Sequence, residues 1–198
     1  VWIIFMEHID FNPHISGSFN KELEDLRNAV IVMGGEIEQQ LLNAIKAVQL
    51  NDANRAEKVV LNDAKINHLG VEIDQECLRI LATRNPTASD LRLVVTVSKT
   101  ITDIERIGDE IARIAKYISQ GLFQIDEQIK LNTIVLSEEI VKMMQKTFDA
   151  YARQDVQSAA LIFEQDDIFN AKYEQVSVLL KDRIRHDVEQ LDQWLGIL

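Results

Sequence analysis

A single long stripe of apolar residues, between residues 91 and 118, constrains the fold of this chain more than any other feature of its sequence. The stripe runs through the segment LRLVVTVSKTI, whose many β-branched residues favour a strand by intrinsic preference. Its apolar side chains nevertheless recur every three or four residues, over a length that no ordinary strand reaches. A β-branched residue lowers the stability of a helix by only roughly a few tenths of a kcal/mol, so the periodicity outweighs the intrinsic preference for a strand and predicts a helix. The stripe consists of Leu91, Val94, Val95, Ser98, Ile101, Ile104, Ile107, Ile111, Ile114 and Ile118.

The same periodicity extends over most of the chain and predicts an all-α protein. It indicates a first helix over about 20–50, a second from the Asp52 cap to just before Pro86, and a third from a cap at Thr87 or Ser89 to about 118. A fourth over about 128–153 and a fifth over about 155–187 follow, with a sixth beginning near 189. Only 2 prolines and 7 glycines interrupt the pattern. Helices of about 30 residues are about 45 Å long, and short turns between them require neighbours to lie antiparallel. We therefore expect a helical bundle, with Asp52, Ser89 or Thr87 as N-caps and Gly121 as a C-cap.

Charge and composition exclude several classes of protein. The 198 residues carry a formal net charge of −11, which disfavours binding to nucleic acid or to an anionic membrane surface. No stretch approaches the roughly 20 apolar residues of a membrane span. The lone cysteine, Cys77, permits no disulfide within the chain and is expected to be a core thiol. These features predict a cytoplasmic protein.

An internal repeat divides the helices into two sets. Residues 42–67 align with residues 145–170 at an offset of 103, with matched apolar phase. This predicts two tandem three-helix bundles: an N-terminal extension over 1–19, a first repeat over 20–119 and a second over 126–198. By the offset, the second repeat lacks its last helix, so we expect a chain that is incomplete at its C-terminal end. The identical pairs are Ala47/Ala150, Asp52/Asp155, Ala56/Ala159, Asp63/Asp166 and Asn67/Asn170.

Two carboxylates on the third helix form a candidate metal site. Glu105 and Asp109 are four residues apart, so they share one helix face, and Gly108 leaves room for a close approach. An antiparallel hairpin that turns near residue 86 places them level with Asp63 and Asn67 on the second helix. Oxygen ligands of this kind suit Mg²⁺, Ca²⁺, Mn²⁺ or iron. Asp103 falls nearly opposite Glu105 and is a weaker candidate.

A solvated, salt-bridged surface is the alternative interpretation of the same stretch. Arg106 and Glu110 are four residues apart, as are Asp109 and Arg113, so each pair could form an ion pair on an exposed face. Charged helical faces are more often solvated than metal-binding. The residue pattern by itself leaves both interpretations open.

Residues 84–118 resemble the signature of the PhoU family of phosphate-signalling regulators. In that family the motif Pro-x-Ala-x-Asp-Leu-Arg is followed by Asp-Leu-Glu-Arg-Ile-Gly-Asp, and Ile104 stands here in place of the Leu. Residues 14–35 are similar to the opening helix of the family. The matching residues are Pro86, Ala88, Asp90, Leu91, Arg92, Asp103, Glu105, Arg106, Ile107, Gly108 and Asp109.

The resemblance implies a function as well as a fold. It implies a homodimer whose subunits each contain two tandem three-helix bundles, and a protein that is not an enzyme. It also implies a cytoplasmic location, or a peripheral one at the inner face of the membrane through its partners. Such proteins repress the phosphate-starvation response, maintain phosphate homeostasis and limit phosphate uptake. They couple the ATPase subunit of the phosphate ABC transporter to a sensor histidine kinase. The family's metal motif falls on Glu105 and Asp109, with Fe, Zn, Mg or Mn as candidate ions.

Two other functions compete with the adaptor. The first is a carboxylate-bridged metal-binding or ferritin-like protein. Such bundles use Glu-x-x-His pairs, and no histidine in this sequence has a glutamate three residues before it. The second is a helical scaffold with no bound metal. Ferroxidase activity would favour the former, and metal content unaffected by loss of Glu105 and Asp109 would favour the latter.

Overall fold

The computed structural model describes residues 17–121 and 127–186 as five α-helices, and these residues include no strand. Each predicted helix within this part of the chain is confirmed, with bounds within about three residues. The first helix begins at Gly17, slightly earlier than expected, and the predicted start of a sixth helix near 189 lies outside the described residues. The helices are α1 (Gly17–Leu50), α2 (Ala53–Arg84), α3 (Ala88–Ser119), α4 (Glu127–Arg153) and α5 (Val156–His186).

The strand-prone segment lies within α3, as its periodicity predicts. Leu93, Val94, Val97, Ile101 and Ile104 are buried where α3 packs on α1 and α2. Four residues of the predicted stripe, Leu91, Val95, Ile107 and Ile114, are instead 38–42% exposed, because they lie at the edges of the buried face. Burying such a side chain contributes roughly 1.5–3 kcal/mol, which exceeds the small helix-propensity cost of its β-branch. Tertiary packing therefore decides the conformation of this segment.

The first three helices form one bundle around a common core. Helix α2 packs most extensively on α3, and α1 packs on both. The α1–α2 turn has Asn51 in the left-handed region (φ 51°), and the Asp52 side chain caps α2 by accepting from the Arg55 backbone N–H at 3.0 Å. The α2–α3 turn has Asn85 at φ 45°. The predicted N-cap at Asp52 is thus confirmed, whereas Thr87 begins α3 without a side-chain cap bond.

The α4–α5 hairpin reproduces the α1–α2 hairpin at the offset of the repeat. Gln154 has φ 56°, as Asn51 has φ 51°, and Asp155 caps α5 by accepting from the Ser158 backbone N–H at 3.0 Å. The Asp63–Asn67 side-chain hydrogen bond of 3.2 Å on α2 recurs between Asp166 and Asn170, also at 3.2 Å. These shared details support the duplication that the sequence predicts.

Helix α4 joins the second hairpin to the first bundle. It packs on α1, and Val141 and Met144 belong to the same buried cluster as the core of the first bundle. The ring of Phe148 lies over Gly34, where an added Cβ would meet ring carbons at 2.6–2.8 Å. The absence of a side chain at Gly34 therefore allows α4 to approach α1 closely. None of the helices in the described ranges is long and apolar enough to cross a bilayer.

Candidate functional site

The side chain of Glu105 lies directly against the backbone of α2 at Gly70. Gly70 is buried, and a Cβ built on it would fall 1.8 Å from Oε1 of Glu105. Only glycine leaves room for a carboxylate at this position. Side chains on a helix point towards its N-terminus, so in an antiparallel pair Glu105 reaches a later residue of α2 than the one level with its own backbone. This is why Glu105 meets Gly70 although it was expected to be level with residue 66.

Burial and neighbouring carboxylates disfavour the ionised form of Glu105. Burial raises the pKa of this carboxyl, and the negative charges of Asp109 and Asp74 raise it further. Asp74 is held in place by the Ser98 hydroxyl, which donates to its Oδ1 at 3.0 Å. A cation bound here would reverse this penalty, because it would offset the repulsion among the three carboxylates.

The expected ion pairs on this face are wrong. Arg106 lies 4.0 Å from Asp103 and Arg113 lies 2.6 Å from Glu110, so both arginines pair at a spacing of three residues instead of four. Residues three apart on a helix are neighbours just as residues four apart are, and all four side chains are more than half exposed. As a result, Asp109 forms no salt bridge with any residue in the described part of the chain.

Asp63 approaches the same face of α3 from α2. Its Oδ1 would lie 3.2 Å from a Cβ added at Gly108, which places this carboxylate beside the glycine that precedes Asp109. Its Oδ2 accepts from Asn67 at 3.2 Å, whereas Oδ1 is buried without a hydrogen-bond partner. A buried acceptor without a donor is costly, so the position suits a cation or an ordered donor. The close approach predicted at Gly108 is confirmed.

These residues supply oxygen donors but not a closed cage. Within 17–121 and 127–186 no group of three or more His, Cys, Asp or Glu side chains is close enough together to hold a metal ion. Glu105, Asp109, Asp63 and Asn67 offer only oxygen ligands, which fit Mg²⁺, Mn²⁺ or iron better than Zn²⁺. An ion bound here would complete its coordination with water, and the orphaned Oδ1 of Asp63 is the observation that favours such a fit.

Sequence reasoning missed two residues of this cluster, Gly70 and Asp74. Neither belongs to the motif on α3 and neither repeats at the offset of 103. The signal that could have found Gly70 is the antiparallel register, because Gly70 is a small residue about one helical turn from the level assigned to Glu105, whereas Asp74 lies about two turns away. Side-chain direction must be added to that register before Gly70 is chosen.

The remaining signature residues lie at the α2–α3 turn and on the outer surface of α3. Asp90 is 1% exposed and accepts from the Thr87 hydroxyl at 3.0 Å, so it fixes the first turn of α3. A carboxylate in the first turn also complements the helix dipole. Pro86 is half-buried beside it, whereas Arg92 and Arg106 are exposed. The signature thus combines a structural turn with a charged surface.

The fold and the site define an all-α protein of tandem helical repeats with a carboxylate cluster between its second and third helices. The PhoU domain model matches residues 30–118. The phosphate-specific transport system accessory protein PhoU of Escherichia coli K12 is 40% identical over 169 residues, which is 85% of this chain and 70% of that protein. The chain belongs to the PhoU family.

Another relative and a solved structure extend the match. The phosphate-specific transport system accessory protein PhoU of Serratia marcescens is 39% identical over 193 residues, covering 98% of this chain and 79% of that protein. The crystal structure of PhoU from Pseudomonas aeruginosa superposes with a TM-score of 0.84 at 34% identity, over 90% of this chain and 86% of that one. The family and the helical-bundle fold predicted from the sequence are therefore confirmed.

Proposed function

We propose that this protein is a negative regulator of the phosphate-starvation response, acting as a non-enzymatic adaptor between a phosphate ABC transporter and a sensor histidine kinase. The observation that carries the proposal is the 40% identity, over 85% of the chain, to a protein named for its accessory role in phosphate-specific transport. The PhoU domain model, which matches residues 30–118, spans both Glu105 and Asp109. In this role the protein represses phosphatase genes and limits phosphate uptake when phosphate is plentiful.

The carboxylate cluster supplies the proposed metal site of the adaptor. Glu105 is disfavoured as an anion and Asp63 has an unsatisfied buried oxygen, so both gain from a nearby cation. Asp109 and Asn67 would complete the protein ligands. The metal would join α2 to α3 electrostatically and change the charge of the surface that a partner meets.

The first test is deletion of the gene in its host, followed by assay of secreted or periplasmic phosphatase activity in phosphate-rich medium. We expect high activity that the intact gene suppresses. A gene carrying Glu105→Gln with Asp109→Asn should suppress it less well. The matched control is Asp103→Asn, which also removes a carboxylate from α3, but one that lies beside Arg106 and outside the cluster. Normal repression in the deletion strain would contradict the regulatory role.

The second test concerns the partners. The purified protein should retain the ATPase subunit of the transporter and the cytoplasmic part of the kinase, and it should sediment as a homodimer. A place in the cytoplasm, at the inner face of the membrane when partners are bound, follows from these contacts. If neither partner is retained, with or without Mn²⁺ and nucleotide, the adaptor proposal is wrong. Ferroxidase turnover above background would instead support the ferritin-like alternative.

A further inference from the structure

The outward face of α2 carries a stripe of side chains that contains no Asp, Glu, Lys or Arg. Its six residues are spaced by three and four in alternation, which is the spacing of the a and d positions of a coiled coil. All six are exposed, although other faces of α2 pack on α1 and α3. These residues form the α2 stripe, which consists of Leu61, Ala64, His68, Val71, Gln75 and Leu78.

Three large apolar side chains dominate the α2 stripe. Leu61 is 70% exposed, Val71 is 51% exposed and Leu78 is 59% exposed. One exposed leucine is ordinary on a protein surface, but these three are aligned along about 25 Å of a single helix. Ile66 and Ile73 lie on the opposite face of α2 and are buried. Helix α2 is therefore apolar on two opposite faces, and the described part of the chain covers only one of them.

The internal repeat shows that the fold does not require an apolar surface at these positions. At the offset of 103, all three large apolar residues of the α2 stripe are replaced by charged residues on α5. The six equivalent positions of α5 are exposed, as those of α2 are. The apolar character thus belongs to α2 in particular and not to the duplicated hairpin. The equivalents, in order, are Glu164, Asp167, Ala171, Glu174, Val178 and Lys181.

The α2 stripe is complementary to a second copy of itself when the two helices run antiparallel. In such a pair, each a position of one helix packs against a d position of the other. Leu61 then faces Leu78 of the second copy, and the four residues between them face one another in turn. A twofold axis repeats every contact, so all six side chains are used and the leucines at both ends are covered.

The charges beside the α2 stripe favour the same alignment. Lys65 and Glu72 flank it on one side and are 54% and 58% exposed. In this register, Lys65 of each copy lies beside Glu72 of the other, which gives two pairs of opposite charge. A shift by one heptad would instead place Lys65 beside Lys65, or Glu72 beside Glu72, so like charges would meet. Lys65 also contacts Glu36 of its own chain at 2.7 Å, and its three N–H donors allow it to serve both carboxylates.

One pair of like charges also comes together towards each end of the α2 stripe. Arg79 would lie beside Lys58 of the second copy. Within its own chain, Arg79 is already paired with Glu22 at 3.1 Å and with Glu76 at 2.5 Å, so its charge is offset. Because charges at an exposed rim contribute little to association, this pair opposes the alignment only weakly.

We infer that two copies of this chain associate through an antiparallel pair of α2 stripes, with Leu61 of each copy against Leu78 of the other. The proposed function includes a homodimer, and this inference names the surface that forms it. The surface itself is argued from the α2 stripe, its flanking charges and its charged equivalent on α5, none of which depends on the regulatory role.

Sedimentation of the full chain tests the association. We expect a dimer at micromolar concentration. Leu61→Glu with Val71→Glu, which places residues of the second repeat in the first, should weaken the association by about 100-fold or more. Both positions are exposed, so the helical circular dichroism spectrum should not change. The matched control is Leu131→Glu with Val135→Glu on α4, where the side chains are 50% and 54% exposed, and it should leave the dimer intact.

Oxidation of paired cysteines tests the register. Leu61→Cys with Leu78→Cys should give a covalent dimer, and so should a mixture of the two single variants, whereas neither single variant should do so alone. A disulfide within one chain is excluded, because the two positions are about 25 Å apart on α2 and a disulfide joins Cα atoms about 4–7 Å apart. The native Cys77 is buried. Glu164→Cys with Lys181→Cys on α5 is the matched control and should not form a covalent dimer.

Several results would overturn the inference. A chain that sediments as a monomer at micromolar concentration would do so, and slow labelling of Leu78→Cys in that monomer would show that a segment of the same chain covers the α2 stripe. A dimer that Leu61→Glu with Val71→Glu leaves unchanged would place the interface elsewhere. A covalent dimer of Leu78→Cys alone would indicate a parallel pair. Normal phosphatase repression in the deletion strain would refute the regulatory role and leave a cross-linked α2 interface intact.

Discussion

Replacement of Gly70 by alanine should separate the stability of the protein from its proposed metal binding. The new Cβ would lie 1.8 Å from Oε1 of Glu105, whereas ordinary contacts begin near 3.4 Å, so the carboxylate oxygen must move by about 1.6 Å. The atom that must move is the far end of a flexible side chain, which can turn away from α2 at little cost. Metal–ligand distances tolerate only about 0.2 Å, so the same movement removes Glu105 from a metal site.

The two effects have opposite signs. Alanine in a helix interior is favoured over glycine by about 1 kcal/mol, so the free energy of unfolding should be unchanged or should rise by up to that amount. The affinity for Mn²⁺ should fall roughly tenfold or more, as it does when a ligand loses its orientation. Urea denaturation measures the first effect and calorimetric titration of Mn²⁺ measures the second.

Gly35→Ala is the matched control for this experiment. Gly35 also lies in a helix interior, and an added Cβ there meets nothing within 4 Å. It should give the same gain in stability and leave Mn²⁺ affinity unchanged. If Gly70→Ala lowers stability by more than about 1 kcal/mol relative to this control, Glu105 is not free to turn away. If the two variants bind Mn²⁺ equally well, Glu105 is not a ligand.

Three further outcomes follow from the packing and the charges. Gly34→Ala should lower the free energy of unfolding by about 1–3 kcal/mol relative to Gly35→Ala, because its Cβ meets the ring of Phe148. Urea denaturation measures this loss, and adding Phe148→Leu should recover part of it. A double variant with no recovery would contradict the contact between Gly34 and Phe148. The raised pKa of Glu105 means that its contribution to stability is complete below the ordinary value of 4.5 and is lost as the pH rises through the raised value. In the metal-free protein Glu105→Gln should therefore be more stable than the unmodified chain at neutral pH, and the difference in stability should vanish in acid. Thermal melts across this pH range measure the difference. A variant that is less stable than the unmodified chain at neutral pH would contradict the prediction. Burial raises the pKa of Cys77 to about 12, so iodoacetamide should modify it only at the rate of unfolding, and rapid labelling of the native protein would show that the thiol is accessible.

The helices could be predicted from the sequence because each has a long apolar stripe that packing and local signals reinforce. In α3 the stripe outweighed a contrary intrinsic preference, and at Asp52 and Asp155 the capping residues fixed the starts of α2 and α5. Where two residues were equally suitable, as Thr87 and Ser89 were, the sequence did not decide between them. The N-cap residue is Thr87, but its side chain forms no cap bond and its hydroxyl donates to Asp90.

The candidate site could be predicted only in part. Glu105 and Asp109 were found because they lie on one helix, and Asp63 was found from the register of an antiparallel hairpin. Gly70 could not be found in this way, because the contact depends on the direction in which the Glu105 side chain leaves its helix. The pairing of Arg106 with Asp103 was missed for a related reason, since spacings of three and four residues compete almost equally on a helix.

The contact of Phe148 with Gly34 makes α1 a shared support for both halves of the chain. One turn further along α1, Ile37 would lie 3.1 Å from a Cβ at Gly108, beside the carboxylate of Asp63. A single turn of helix thus separates the point where α4 presses on α1 from the point where α1 supports the carboxylate cluster. A displacement of α4 would therefore act on the same short segment of α1 that contacts the carboxylate cluster.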